Sequence, residues 1–183
     1  MNLPNLLSAT RLALAPPLVA SIASGEYRRA LVLLALAGVT DSADGLLARR
    51  YGWQTRLGAY LDPVADKVLL VGVYLALGAS GLLPWWLVAL VFGRDVAILA
   101  AAGTVLLRTE YRDFRPSVWG KLSTIFQILA ALSVLSARAS EFSALGAAAD
   151  LLIPATGVFT AWSGLHYAWW LRKELLQSSV ARR

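Results

Sequence analysis

The segment DSADGLLARRYGWQTRLGAYLDPVADK, from Asp41 to Lys67, decides how this chain folds. It places four aspartates and several basic residues between stretches that are otherwise apolar. An ionisable side chain inside an apolar helix is costly, and it marks a functional position more often than a structural one. The nature of the flanking stretches therefore decides whether these acids lie inside a membrane.

The composition indicates a membrane protein. The 183 residues are 58% hydrophobic and 15% charged, with a mean hydropathy of +0.61. A soluble domain is nearer half apolar and a quarter charged. The apolar residues form Leu- and Ala-rich blocks that approach or reach the roughly 20 residues needed to cross a bilayer. Because these blocks lack strand-like alternation, the sequence predicts an all-α integral membrane protein.

Six transmembrane helices are predicted within a single membrane domain covering residues 1–183. The N-terminal MNLPNLLSATR is expected to form a short interfacial helix that leads into the first span. The absence of cysteine excludes disulfides and thiolate metal sites. The predicted spans are about 6–24, 30–49, 57–79, 83–107, 117–137 and 147–171.

The basic residues predict the orientation. With the N-terminus inside, eleven Lys and Arg residues fall in or beside cytoplasmic segments, and only Arg28, Arg29 and Arg138 fall on the other side. This asymmetry follows the positive-inside rule, with both termini cytoplasmic. The expected location is a cytoplasmic membrane of the bacterial type. Nucleic-acid binding is disfavoured because the basic residues sit in short loops rather than in one patch.

The second and third spans form a predicted hairpin that brings the acids together. Asp41 and Asp66 occupy mirror positions about a turn near Trp53, as do Asp44 and Asp62. Within each helix the two acids are three or four residues apart and share a face. Facing helices would surround one small volume with four carboxylates, open to the cytoplasmic side.

Small residues accompany the acids. Ala48 lies opposite Gly58 in the same mirror, and small residues let membrane helices approach closely. Gly45 leaves a gap beside Asp44 for a ligand, and Arg49 is placed to hold a phosphate at the mouth.

Four carboxylates this close would not all stay ionised without cations. Oxygen ligands without nearby His or Cys favour Mg²⁺ or Mn²⁺, with Ca²⁺ as a further option. Two such ions would make a phosphoryl-transfer site. The alternatives are a helix-packing role for the acids and a carboxylate-lined ion carrier without catalysis.

Eight positions of the hairpin resemble the motif of the CDP-alcohol phosphatidyltransferases. They read Asp-x-x-Asp-Gly-x-x-Ala-Arg from Asp41, then eight residues, then Gly-x-x-x-Asp-x-x-x-Asp from Gly58. The resemblance extends over the whole chain, including the six spans and the opening NLPNLLSATR.

The resemblance implies a membrane enzyme that moves a substituted phosphate from a CDP-linked donor to an alcohol and releases CMP. It implies that the four aspartates hold two divalent cations and the donor pyrophosphate, and that Asp66 is the general base. It assigns Gly45, Ala48 and Gly58 to making room for the nucleotide, and Arg49 to contacting the nucleotide or its phosphates. A homodimer is also expected from the resemblance.

The acceptor must be inferred from other residues. Arg94 in the fourth span and Arg115 and Lys121 around PSVWGK are candidates for an acceptor-phosphate pocket, with Arg112 nearby. Positive-inside bias alone explains much of this loop's charge.

Four further segments read ADKVLLVGVYLAL, GRDVAILAAAG, FRPSVWGKLSTIFQ and SGLHYAWW. They most resemble the CMP-forming cardiolipin synthase branch, in which CDP-diacylglycerol is the donor and phosphatidylglycerol the acceptor. The alternative branch is phosphatidylglycerophosphate synthase, with glycerol 3-phosphate as acceptor; it usually carries Glu at the position of Asp95. His166 is a candidate for positioning the lipid acceptor, or else a packed residue near the membrane interface. Asn5, Ser8 and Arg11 either touch the donor headgroup or cap and anchor the interfacial helix.

Overall fold

The computed structural model describes the backbone of residues 3–51, 58–108, 117–140 and 142–180. Side chains are described for residues 10–40, 65–100, 117–140, 142, 144–170 and 172–173. Throughout these ranges the regular structure is helical, which confirms the all-α prediction. The helices are α1 (Leu3–Ala23), α2 (Tyr27–Tyr51), α3 (Gly58–Ala79), α4 (Trp85–Arg108), α5 (Val118–Ala139) and α6 (Ser143–Val180).

The first helix differs from the prediction at its start. One helix runs without a break from Leu3 to Ala23 and includes Pro16 and Pro17, so the predicted interfacial segment forms the first turns of α1 rather than a separate helix. Each proline removes one backbone donor from the helix. The hydroxyl of Ser21 donates to the carbonyl oxygen of Pro17 at 2.7 Å, one turn later.

The last helix is longer than its apolar stretch. The predicted span ends near residue 171, whereas α6 continues to Val180. The additional segment RKELLQSSV begins with charged residues. Lys, Glu, Leu and Gln are nevertheless good helix formers, so a drop in hydropathy does not end the helix.

Within the residues whose side chains are described, two helices are long and apolar enough to cross a bilayer by length and composition, over Val118–Ala139 and Ala144–Trp170. A shorter apolar stretch covers Thr10–Ala23. The polarity of α6 is the reverse of that in a soluble protein. Leu151 is 73% exposed, and Val158 and Leu165 are also largely exposed, whereas Thr156 and Thr160 are fully buried. Apolar residues outside and hydroxyls inside suit a helix that faces lipid.

One compact unit comprises residues up to Pro84 together with Ala131–Ala149. Within it α1 packs against both α2 and α3. The core includes Leu18 and Ile22 of α1, Ala37 of α2 and Leu77 of α3. A Cβ atom on Gly72 would lie 3.1 Å from Val19 Cγ2, so this glycine allows α1 and α3 to approach closely.

A second compact unit comprises Trp85–Ala130 and Asp150–Arg183. Hydrogen bonds join α5 to α6 inside it. The hydroxyls of Ser123 and Thr160 are 3.1 Å apart, and Thr156 donates to the carbonyl oxygen of Phe126 at 3.0 Å. Such interhelical bonds hold membrane helices together where lipid offers no alternative partner.

Candidate active site

The four motif aspartates lie on two helices that both pack against α1. Asp41 and Asp44 are in the C-terminal part of α2, and Asp62 and Asp66 are in the N-terminal part of α3. Both pairs are within continuous helix, which supports the expectation that each pair shares one face. The side chains of Asp41, Asp44 and Asp62 lie outside the described residues, so the convergence of all four carboxylates stays a prediction.

Asp66 is the one motif acid whose side chain is described. Arg11 of α1 donates from Nη1 to Asp66 Oδ1. The Arg11 side chain is 2% exposed, whereas that of Asp66 is 52% exposed. A buried guanidinium requires partners, and the motif acid Asp66 is one of them. The proposed general base is therefore fixed to the first helix on one side and accessible on the other.

A divalent cation fits the chemistry of this group. A carboxylate presents about four lone-pair sites on its two oxygens, so an ion pair with Arg11 is compatible with metal coordination. Carboxylate oxygens are preferred ligands of Mg²⁺, Mn²⁺ and Ca²⁺. Among the side chains that are described, no cluster of three potential metal ligands occurs; three of the four predicted ligands lie outside that set.

The nucleotide-binding candidates are described only at the level of the backbone. Gly45, Ala48 and Arg49 follow Asp44 in α2, and Gly58 is the first residue of α3. Asn5 and Ser8 are in the first two turns of α1. The side chains of these residues lie outside the described part of the chain, and their roles stay predictions.

Arg94 forms the centre of a separate polar cluster in the second unit. Its Nη1 donates to Asp95 Oδ1 at 2.9 Å, and its Nη2 donates to Ser163 Oγ at 2.9 Å. The Arg94 side chain is 8% exposed. A Cβ atom on Gly120 would lie 3.1 Å from Nη2, so α5 passes the guanidinium at a glycine. Arg94 thus ties α4 to α6 beside α5.

The cluster retains a buried donor. Within the described residues, Arg94 Nε is buried and has no hydrogen-bond partner. Lys121 directly follows Gly120 and is exposed. Arg112 and Arg115, the other two predicted acceptor-phosphate residues, lie outside the described residues. Of the predicted acceptor-phosphate pocket, the structure therefore describes two residues, the buried Arg94 and the exposed Lys121. Lys121 is next in sequence to Gly120, which lies beside the Arg94 guanidinium.

The start of α5 is fixed by α6. The backbone amide of Gly120 donates to Ser117 Oγ at 3.0 Å, a helix N-cap. The amide of Ser117 donates to the Tyr167 hydroxyl at 3.2 Å. His166 makes edge contacts with Tyr167, and its Nδ1 is buried without a hydrogen-bond partner in the described part of the chain. A role in positioning the acceptor stays a prediction for His166.

Two features of these sites were not predicted from sequence. Arg11 was expected to touch the donor headgroup or to anchor the interfacial helix, whereas in the structure it is buried and pairs with Asp66. This contact had a detectable signal, because a lone arginine in an apolar segment needs an acid. The sequence offered little reason to expect Ser163 as a partner of Arg94, since serine is common at helix contacts in membranes.

Comparison with known proteins identifies the family. The family model described as CDP-alcohol phosphatidyltransferase matches residues 1–171. "Probable phosphatidylglycerophosphate synthase" of Mycobacterium tuberculosis is 38% identical over 137 residues, which cover 70% of this chain and 63% of that protein. "Cardiolipin synthase (CMP-forming)" of Rattus norvegicus is 44% identical over 109 residues, or 59% of this chain and 36% of that protein.

"Probable cardiolipin synthase (CMP-forming)" of Drosophila melanogaster is 41% identical over 102 residues, which cover 55% of this chain and 32% of that protein. The chain thus spans from about one third to just under two thirds of these relatives. The family model extends over nearly the whole sequence and includes all eight motif positions. The chain belongs to the CDP-alcohol phosphatidyltransferase family, as its motif predicted.

Proposed function

We propose that this chain is a CMP-forming cardiolipin synthase, which transfers a phosphatidyl group from CDP-diacylglycerol to phosphatidylglycerol. The observation that carries the proposal is the complete motif on α2 and α3, with Asp66 held by the buried Arg11. The rat and Drosophila relatives named for this activity support the choice of acceptor.

In the proposed reaction, a hydroxyl of phosphatidylglycerol attacks the phosphorus atom that carries the diacylglycerol. Asp66 accepts the hydroxyl proton, and the bond between that phosphorus and the CMP oxygen breaks. Cardiolipin forms and CMP leaves with the electron pair of the broken bond. Two divalent cations held by the four aspartates would neutralise the pyrophosphate and the developing charge.

The role of Arg11 follows from its contact. A carboxylate acts as a base only when it lies within hydrogen-bond reach of the proton that it removes. By holding Oδ1, Arg11 restricts the rotation of the Asp66 carboxylate. The half-exposed face of Asp66 is then available to the acceptor.

The proposed topology has six membrane spans, both termini in the cytoplasm and the aspartate site near the cytoplasmic surface. Its support is the placement of Lys and Arg along the sequence. The exposed apolar face of α6 supports contact with lipid. A homodimer remains part of the proposal on the family resemblance alone.

Phosphatidylglycerophosphate synthase is the second candidate, with glycerol 3-phosphate as acceptor. The Mycobacterium relative that bears this name aligns over the larger share of the chain. A carboxylate-lined ion carrier is the candidate from a different class, and it would release no CMP from CDP-diacylglycerol.

The purified chain, supplied with CDP-diacylglycerol and Mg²⁺ or Mn²⁺, tests all three. CMP release that requires phosphatidylglycerol and yields cardiolipin supports the proposal. CMP release that requires glycerol 3-phosphate instead selects the second candidate. Absence of CMP release with either acceptor and either cation argues against both enzyme assignments.

A further inference from the structure

A basic cavity lies at the end of the first unit where α1 turns into α2. It has a volume of about 520 Å³ and is lined by residues 25–29 and 138–140. Gly25 makes the turn possible, because its φ of 76° falls in the left-handed region. The amide of Glu26 donates to the Ser21 carbonyl oxygen at 2.9 Å and closes the end of α1.

Three arginines, Arg28, Arg29 and Arg138, line this cavity, and all three are exposed. Arg28 Nε donates to the carbonyl oxygen of Ala139 at 3.0 Å. Arg29 Nη1 donates to Glu26 Oε2 at 3.0 Å. Each guanidinium has five N–H donors, so these bonds leave most of the donor capacity of both arginines uncommitted among the described lining residues.

Helix capping explains only part of this arrangement. Arg138 is in the last turn of α5, where a cation interacts favourably with the helix dipole. Arg138 alone is sufficient for the interaction with the helix dipole, and Glu26 neutralises the charge of Arg29. The described lining residues still carry a net charge of +2, from three arginines and one glutamate. Like charges in one cavity repel each other unless an anion lies between them.

The surroundings of the cavity identify the kind of anion. Phe142, two residues beyond Ser140, is largely exposed, and so are Val32 and Leu36 on α2. Apolar side chains beside a basic cavity at a helix end suit a ligand with a charged head and an apolar tail. The volume lies within the range of small-molecule sites, and guanidinium groups bind phosphate oxygens through paired hydrogen bonds.

We propose that this cavity binds a phosphate-bearing anion, with the headgroup phosphate of an anionic phospholipid as its expected source and free phosphate as the other. The same three arginines are the basic residues that the sequence places opposite the cytoplasmic face. The site is therefore distinct from the aspartate motif and binds without taking part in the transfer reaction. Basic cavities between membrane helices recognise lipid headgroups in this way.

The absence of cysteine from the chain provides the means of testing the proposal. Ser24→Cys, at the exposed turn beside the cavity, carries a fluorophore on the full chain in phosphatidylcholine nanodiscs. The measurement is quenching by nitroxide-labelled phosphatidic acid compared with nitroxide-labelled phosphatidylcholine at equal mole fraction. Phosphatidic acid is chosen because it is neither the donor nor either acceptor in the proposed reactions.

We expect preferential quenching by phosphatidic acid. This preference should fall about fivefold for each arginine removed in Arg28→Gln and in Arg28→Gln/Arg138→Gln. The matched control Arg172→Gln removes an exposed arginine far along α6 and should retain the preference. Removal of the preference by millimolar inorganic phosphate, in the labelled Ser24→Cys chain that keeps all three arginines, would support the site with free phosphate as its ligand.

Equal quenching by the two lipids in the labelled Ser24→Cys chain that keeps all three arginines would overturn the proposal. A preference that survives in the double variant would overturn it as well. Circular dichroism of each variant establishes that the helices are retained. The proposal can fail while CMP release is intact, so its failure is distinguishable from failure of the proposed enzyme function.

Discussion

Arg11 and Asp66 are separated by 55 residues in sequence, yet the guanidinium of one donates to the carboxylate of the other. Arg11 is among the largest fully buried side chains of the described residues. The contact joins the first helix to the motif acid that is proposed to remove the acceptor proton. It makes α1 part of the candidate active site rather than only a membrane anchor.

Arg11→Gln should lower kcat by about 10- to 100-fold, because the Asp66 carboxylate loses the group that orients it. The KM for CDP-diacylglycerol should change much less. Arg11→Lys should restore part of kcat, since it returns the charge without the fork of donors. Steady-state CMP release measures both parameters, with Arg172→Gln as the control. A Gln variant with unchanged kcat would rule out the positioning role.

Asp66→Asn should abolish turnover, with a loss of at least about 100-fold, because the amide cannot accept the acceptor proton. Metal-dependent binding of the donor should be largely retained, since Asp44, which is expected to hold both the cations and the donor, is intact together with Asp41 and Asp62. Calorimetric titration with CDP-diacylglycerol measures the binding, and CMP release measures the turnover. If Asp66→Asn turns over at the unsubstituted rate, the assignment of the general base is wrong.

Gly120→Ala should weaken the use of the acceptor. The added methyl group would lie 3.1 Å from Arg94 Nη2 and 3.3 Å from Ser117 Oγ, so the guanidinium must move by a few tenths of an ångström and its bond to Ser163 is weakened. We expect a higher KM for the acceptor and a lower melting temperature. Gly93→Ala is the matched control, because nothing lies within 4 Å of a Cβ at that position. An equal effect of the two substitutions would remove the reason to assign the Arg94 cluster to the acceptor.

Lys121→Gln should raise the KM for the acceptor several-fold and leave the KM for CDP-diacylglycerol unchanged, as expected for the loss of one charge-assisted contact to a phosphate. Lys173→Gln removes another exposed lysine and serves as the control. Equal changes in the two KM values would indicate a general electrostatic effect instead of an acceptor contact.

The sequence predicted the helices well because hydropathy and helix boundaries coincide for most of them. The predicted span 57–79 corresponds to α3 at Gly58–Ala79, and 117–137 to α5 at Val118–Ala139. The prediction was too short for α6, since Lys173 and the residues after it are polar but still favour a helix. The prediction also treated the first eleven residues as a separate interfacial helix, because they are more polar than the residues that follow. In the structure, residues 3–11 belong to the same helix, α1.

The site was less completely predictable. The motif fixed the positions of the aspartates along two helices, since spacing within a helix determines the shared face. The partners of Arg11 and Arg94 depend on how separate helices pack against each other. The spacing of residues along one helix carries no information about that packing. Thr156, Thr160 and Ser163 follow the spacing of one helix face, and all three are buried. In a soluble protein a polar face would be expected on the outside, whereas in a membrane protein it can lie inside, so the spacing alone did not identify the buried face.

The central claim is that the four aspartates hold two cations together with the CDP-linked donor. Electron paramagnetic resonance of Mn²⁺ bound to the purified chain with CDP-diacylglycerol tests it most directly. We predict two Mn²⁺ per chain, with the spin coupling of ions about 3.5–4 Å apart, and loss of this signal in Asp44→Asn. Uncoupled Mn²⁺, or a coupled pair that persists in Asp44→Asn, would contradict the account.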